Sequence, residues 1–384
     1  MKKKLLVITL LLLCTFLAAQ APSEMALFEA IYNGDINAAK ALINSGIDVN
    51  KTLQIPEEKV EFTPLYFAIG MGQISVAEEL IARKANLDWQ DYEGNTALML
   101  ACNDGQIDIA KALIRGGADV NKQNKDGLTA LFLASGYSPI VALELIKVKA
   151  DVNKRTVEGT TALMVASETG HWEVVQELIK AKADINMQNN YGVAAIIIAA
   201  RNGRIFVLKE LIKAKANLNI QTNSGMTALM YSSRLGYLDI TQELIKEKVN
   251  LNIQEIENGD TALLMALENN NFQIAQELIA AGADVNKQNK DGNTAIILAA
   301  GKNNIDIVNK LIVAKSDINK KNNEGYNALM YAVNQGDINV VRYLIASGAD
   351  VNVKTKNGED AFFLALKKER NDIFDVLQAA NIKQ

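Results

Sequence analysis

The strongest constraint in this chain is a period. Six-residue blocks align as TPLYFA from Thr63, TALMLA from Thr96, TALFLA from Thr129, TALMVA from Thr161, AAIIIA from Ala194, TALMYS from Thr227, TALLMA from Thr261, TAIILA from Thr294, NALMYA from Asn327 and DAFFLA from Asp360. Successive starts lie 33, 33, 32, 33, 33, 34, 33, 33 and 33 residues apart. A register held over so much of a 384-residue chain describes many small units, each too small to bury its own apolar face and each completed by its neighbour.

Each unit reads as two helices. The Thr opening a block is a helix N-cap whose hydroxyl accepts from an amide one turn in; Asn327 and Asp360 can do the same, and Ala194 cannot. Apolar positions such as Leu98, Ala101, Ile109, Leu113 and Ile114 then mark two helices with a shared buried face. Between them comes a turn near Gly105, Gly170, Gly203, Gly236 or Gly336, and the second helix closes on A-D-V-N, A-D-I-N or A-N-L-N. With only four prolines, the chain has few breaks to interrupt such helices.

This pattern resembles the ankyrin repeat family over roughly residues 23 to 384. The resemblance implies an all-α solenoid of about eleven stacked helix-turn-helix units with projecting hairpin loops. The boundaries expected from it are a leader over 1–21, an N-terminal capping pair with a long loop over 22–62, nine repeats over 63–359 and a C-terminal capping pair over 360–384. Departures from the family pattern are clear. The His expected after T-P-L is replaced by Tyr66, Met99, Phe132, Met164, Ile197, Met230, Leu264, Ile297, Met330 and Phe363, which exchanges polar ties for apolar packing. Gly before A-D gives way to Lys84, Lys149, Lys182, Lys215, Lys248 and Lys315. A lysine keeping the left-handed conformation of that site would cost about 1 kcal/mol against glycine, partly offset by a cation at a helix C-terminus. The row is either solvated helix-end charge or a ladder facing an anionic partner.

Catalytic and metal chemistry find little support. His171 is the sole histidine and stands where the resemblance expects a structural Gly-His; no nucleophile turn, phosphate loop or His-Cys zinc pattern accompanies it. The loop GADVNKQNKDG, present from Gly117 and again from Gly282, has alternating D-x-N spacing. A calcium loop would place Gly where Asn124 stands and Glu where Ala130 stands. The loop is therefore expected to be a hairpin, and no enzyme activity, cofactor or metal is expected.

The amino terminus, MKKKLLVITLLLLCTFLAAQAPSE, has three lysines, an apolar run and small residues, which is the layout of a secretory leader cleaved after Ala19 or Ala21. The product is then expected to be exported, periplasmic or secreted, without membrane insertion. Cys14 is a candidate lipidation site, although Leu11-Leu12-Leu13 lacks the small residue usual before such a cysteine. Cleavage would leave only Cys102, so no intramolecular disulfide is expected. Loss of three lysines takes the charge from 40 − 44 = −4 to 37 − 44 = −7, a poor balance for nucleic acid.

What remains is a surface for a protein partner, bound by a monomer. The family grips partners with hairpin tips and the concave face of first helices, which the resemblance carries onto Tyr92, Asn95, Lys125, Asp126, Tyr137, Tyr191, Arg201, Met226, Arg234, Lys290, Asp291 and Tyr326. Alternatives are a lipid-anchored envelope scaffold and a host-directed secreted effector. Two irregular places stand out: the loop KTLQIPEEKVEF with Pro56, expected as an extended hairpin or finger, and Gly136-Tyr137-Ser138-Pro139, where the first helix is expected to lose a residue.

Overall fold

The computed structural model describes residues 22–55 and 60–381. The expected leader with its two expected cleavage positions, Cys14 and Pro56 all lie outside the described residues. The described residues form 22 helices in eleven pairs, grouped in two compact units that divide after Ile185.

In the first unit the pairs are α1 (Pro22–Tyr32) with α2 (Ile36–Asn44), α3 (Pro64–Gly70) with α4 (Ile74–Ala82), α5 (Ala97–Asn103) with α6 (Ile107–Arg115), α7 (Ala130–Tyr137) with α8 (Pro139–Lys147), and α9 (Ala162–Thr169) with α10 (Trp172–Lys180). In the second they are α11 (Ala195–Arg201) with α12 (Ile205–Lys213), α13 (Ala228–Leu235) with α14 (Leu238–Lys246), α15 (Ala262–Glu268) with α16 (Phe272–Ala280), α17 (Ala295–Gly301) with α18 (Ile305–Val313), α19 (Ala328–Gln335) with α20 (Ile338–Ala346), and α21 (Ala361–Lys367) with α22 (Asn371–Asn381). Inside each unit, first helices pack on first helices and second helices on second helices.

That packing is what the apolar spacing requires. Leu98, Ala101, Ile109 and Leu113 are all buried, as are their counterparts Leu131, Ala134, Val141 and Leu145 one repeat later, while Ile114 is half-buried. A fully buried leucine contributes about 2 kcal/mol, so most of a repeat's stability depends on the neighbour that covers it.

The caps form largely as the sequence predicts. The side-chain oxygens of Thr63, Thr96, Thr129, Thr161, Thr227, Thr261, Asn327 and Asp360 each accept from the amide three residues on. Ala194 makes no such bond. Thr294 departs from expectation: its hydroxyl is fully buried, caps nothing and has no partner.

Two other expectations are corrected. Helix α7 keeps eight residues, and the missing residue comes out of the turn: Ser138 alone ends α7 and begins α8, with Pro139 at the first helical position. The extra residue of the 34-residue spacing lies in the hairpin after Gln254, whose amide reaches Gly259 five positions on, where Gln123 and Gln221 reach a glycine four positions on. Among the replaced histidines, Tyr66 keeps a polar tie, donating from Oη to Asp91 Oδ2 at 2.7 Å. Phe132 is only half-buried and Phe363 is exposed. The long loop does form a hairpin, with β1 (Leu53–Ile55) antiparallel to β2 (Val60–Phe62) and Leu53 opposite Phe62.

Candidate partner-binding surface

The polar letters of the hairpins hold the repeats together. Asp119 Oδ1 accepts from the Asn121 amide at 2.9 Å, fixing the turn. Asn121 Oδ1 then accepts from the Asp151 amide at 2.8 Å, one repeat on. The same bond runs from the Asp119 amide to Asp88, the Asp184 amide to Asn153, the Asn250 amide to Asn219 and the Asp317 amide to Asn286. Gln123 Nε2 donates to the carbonyls of Gly127 at 2.8 Å and of Arg155 in the next repeat at 3.0 Å. Gln90, Gln188, Gln254 and Gln288 repeat this double bond. Each bond of this kind nets about 1 kcal/mol and satisfies backbone groups that would otherwise be stranded between repeats.

Backbone bonds tie the tips as well: the Lys125 amide donates to Glu93 O, and the Val157 amide to Asp126 O. In the second unit Asn223 bonds Tyr191 and Asn323 bonds Asp291 in the same way. Glycine is needed where these tips approach. A Cβ on Gly127 would lie 2.9 Å from Thr156 Cα, and its φ of +75° is a left-handed value. The oxygen-rich loops are thus consumed by the scaffold, and among the described residues no group of three or more His, Cys, Asp or Glu could hold a metal ion.

The candidate residues fall into three groups. Tyr92, Tyr137 and Tyr191 are 62%, 68% and 59% exposed, giving large rings on a rigid support. Lys125, Asp126, Arg234, Lys290 and Asp291 also have exposed side chains; the Lys125 ammonium sits 3.7 Å from the Tyr92 ring centroid, and the Arg234 guanidinium 5.3 Å from that of Tyr231. Asn95, Arg201 and Tyr326 are half-buried. Asn95 bonds Asp91 and Asn124, while Tyr326 donates to Glu359 at 3.2 Å and stacks edgewise on Tyr331, so both serve the scaffold. Met226 is buried and presents nothing to a partner. It occupies the position held by Asn95 in its repeat, where an apolar side chain gains by burial.

Sequence reasoning missed several exposed apolar side chains. Val157 and Ile256, 70% and 61% exposed, occupy the tip position held by Tyr92 and Lys125, so the repeat alignment itself could have found them. Phe206, 68% exposed, is the second residue of α12, where the repeat pattern gives no such signal. It also missed a buried acidic pair. Glu255 accepts from the amides of Glu257 and Asn258, both at 2.6 Å, and of Asp260 at 3.2 Å. Burial, with the Glu255 and Asp291 charges nearby, holds the Asp260 carboxyl above its usual range against the opposing bond from Asn289 Nδ2.

His171 and Cys102 are both committed inside the first unit. His171 Nδ1 lies 3.0 Å from the Ser135 carbonyl and 3.1 Å from Thr169 Oγ1, which sets the ring between two repeats. Burial pushes the Cys102 thiol up to about 12, far from a reactive thiolate.

Comparison with known proteins gives one family. Its model, described as Ankyrin repeats (3 copies), matches over residues 27–124, 104–189, 173–255, 236–322 and 296–384. No curated relative matches the chain.

Proposed function

Because the chain belongs to the ankyrin repeat family, we propose that it is an exported, monomeric and non-catalytic module that binds a partner protein through its hairpin tips and first-helix face. Ankyrin repeats are in general protein-interaction modules and typically non-catalytic scaffolds. The observation that carries the reading is the set of exposed rings, Tyr92, Tyr137 and Tyr191, on a backbone fixed by inter-repeat bonds. A pre-ordered surface gives up little conformational entropy on binding, and tyrosine supplies contact area with a polar end. The engagement of His171 with Ser135 supports a structural role for the one imidazole.

The test is affinity capture with the full chain, repeated with Tyr92→Ala, Tyr137→Ala and Tyr191→Ala combined. All three side chains are exposed, so the variant should melt with the parent while capture of the partner falls at least about tenfold. Undiminished capture would show that binding lies elsewhere. Mass spectrometry of the mature amino terminus addresses export: a terminus at Gln20 or Pro22 supports a cleaved leader, and a lipid-bearing Cys14 would instead support an envelope-anchored scaffold.

A further inference from the structure

All six lysines that replace glycine after the second helices adopt left-handed backbone conformations, with φ of 61° at Lys84, 64° at Lys149, 68° at Lys182, 64° at Lys215, 54° at Lys248 and 64° at Lys315. The other four repeats with this closing turn place Gly46, Gly117, Gly282 and Gly348 there, at φ from 86° to 97°. Glycine therefore fits the turn, and the chain keeps strained lysines at six positions where the relaxed residue is available.

Basic charge gathers in the same repeats. The residue before the lysine, or the one before that, is also basic in five of the six: Arg83, Lys147, Lys180, Lys213 and Lys246. In the glycine repeats only Arg115 plays that part. All five pair with a glutamate one turn back, Arg83 with Glu79 at 3.5 Å, Lys147 with Glu144 at 2.9 Å, Lys180 with Glu177 at 2.7 Å, Lys213 with Glu210 at 3.9 Å and Lys246 with Glu243 at 3.2 Å, so the uncompensated charge is that of the turn lysines. None of the six turn lysines makes an ion pair among the described residues, and all six are exposed. Two residues beyond each stands Asn86, Asp151, Asp184, Asn217, Asn250 or Asp317; three are uncharged, and Asp151 and Asp317 turn Oδ1 onto the amide two residues on.

Geometry places these charges in a row within each unit. Neighbouring second helices pack side by side and run the same way, so their C-termini share an edge. Asparagine bonds fix the edge at every lysine repeat, as when the Asp151 amide bonds Asn121 and the Asp184 amide bonds Asn153. Asn153 Nδ2 further holds the Lys182 carbonyl and Asn286 Nδ2 that of Lys315. Val148 and Val313, 47% and 76% exposed, lie beside the lysines on this edge.

We propose that the lysine edge of each unit, Lys84, Lys149 and Lys182 in one and Lys215, Lys248 and Lys315 in the other, is a docking surface for an anionic phospholipid bilayer. Lysines on flexible stems suit a diffuse field of headgroup charge, whereas recognition of a defined carboxylate or phosphate favours the planar fork of arginine. Exposed valines among the cations suit the boundary between headgroups and acyl chains. The net charge of −4, or −7 once the expected leader is removed, does not by itself oppose this, because exposed charges more than about 8 Å from the edge are largely screened at physiological salt.

The test is co-sedimentation of the full chain with phosphatidylcholine vesicles, with and without roughly one-third phosphatidylglycerol, beside a variant carrying Lys→Asn at all six positions. Asparagine tolerates the left-handed turn, as Asn270 and Asn303 do here at φ of 60° and 55°, so the variant keeps the fold while losing the charge. The parent should bind the anionic vesicles and release them as salt rises from about 0.1 to about 1 M. The variant should bind them at least about tenfold less with no loss of melting temperature, and Lys→Arg at the same six positions should bind like the parent. Equal binding of parent and Lys→Asn variant, or no preference for the anionic vesicles, overturns the proposal. Retention on heparin without vesicle binding also overturns it, assigning the edge to a polysaccharide.

Discussion

Relieving one strained lysine gives a sharp test of how the repeat is built. Lys149 holds φ at 64° after α8 with its side chain in water, whereas Gly282 fills the equivalent turn after α16 at φ 86°. Nothing lies within 4 Å of where a Cβ on Gly282 would be, so the difference between these residues is conformational, with no steric part. An L-residue in this conformation costs about 1 kcal/mol against glycine, and a cation at an exposed helix C-terminus returns about 0.3 kcal/mol. Lys149→Gly should therefore stabilise by about 0.7 kcal/mol in urea unfolding at low salt. Near 1 M salt, where the Debye length falls to about 3 Å and the dipole contribution is screened, the gain should approach 1 kcal/mol. Gly282→Lys should lose a similar amount with the same salt dependence. The six lysine sites lie in separate turns, so replacing all of them with glycine should add to about 4 kcal/mol. A Lys149→Gly variant that is neutral or destabilised, or a Gly282→Lys variant as stable as the parent, would refute the reasoning.

Loss of a cap should depend on which threonine is changed: Thr129→Ala should cost about 1 kcal/mol in thermal unfolding, whereas Thr294→Val should be neutral or stabilising because the buried Thr294 hydroxyl makes no bond. Asn121→Ala removes the bond to the exposed Asp151 amide and should cost about 1 kcal/mol, with faster amide hydrogen exchange at Asp151. Asp260→Asn keeps an oxygen to accept from Asn289 and removes a buried charge. The folded Asp260 carboxyl binds its proton more tightly than an unfolded one, so its contribution is favourable at low pH and is lost as pH rises above the ordinary aspartate value of 3.8. Urea unfolding should therefore find Asp260→Asn more stable than the parent at pH 7, with the advantage gone by about pH 3.

The fold was legible because its determinants are local and repeated. Cap, apolar spacing and turn glycine recur at one period, so a defect such as Ala194 is outvoted by nine aligned blocks. What escaped was decided by tertiary surroundings that the local letters do not show. Thr294 has the letter of a cap and makes no cap bond, Met226 is buried instead of facing outward, and Tyr66 found Asp91 from a position read as apolar packing. The deletion beside Pro139 could be seen in the count and not in its place, because proline can begin α8 as readily as end α7. The acidic pair of Glu255 and Asp260 exists because the one inserted residue lets a glutamate close a wider hairpin on its own amides.

The duplicated loop shows how one sequence meets two different surroundings. GADVNKQNKDG builds the same backbone twice: Gly127 and Gly292 hold φ of 75° and 79°, and Gln123 and Gln288 each bond the glycine that ends their own turn, at 2.8 and 2.7 Å. The identical side chains nevertheless meet different neighbours. Lys125 lies over the Tyr92 ring, whereas the Lys290 ammonium bonds the Ile256 carbonyl. Asn124 Nδ2 donates to the Asn95 amide oxygen, whereas Asn289 Nδ2 donates to the buried Asp260 carboxylate. These differences come from the preceding repeat, at the tip position and at the residue before its threonine, and the following repeat adds another, because Asn323 Nδ2 donates to Lys290 O where the matching residue, Val157, is apolar. The loop's own letters are spent on joining repeats, so a partner that tells these two hairpins apart does so by reading the exposed Tyr92 against Ile256, and Val157 against Asn323. The lysines it touches are the same residue in both.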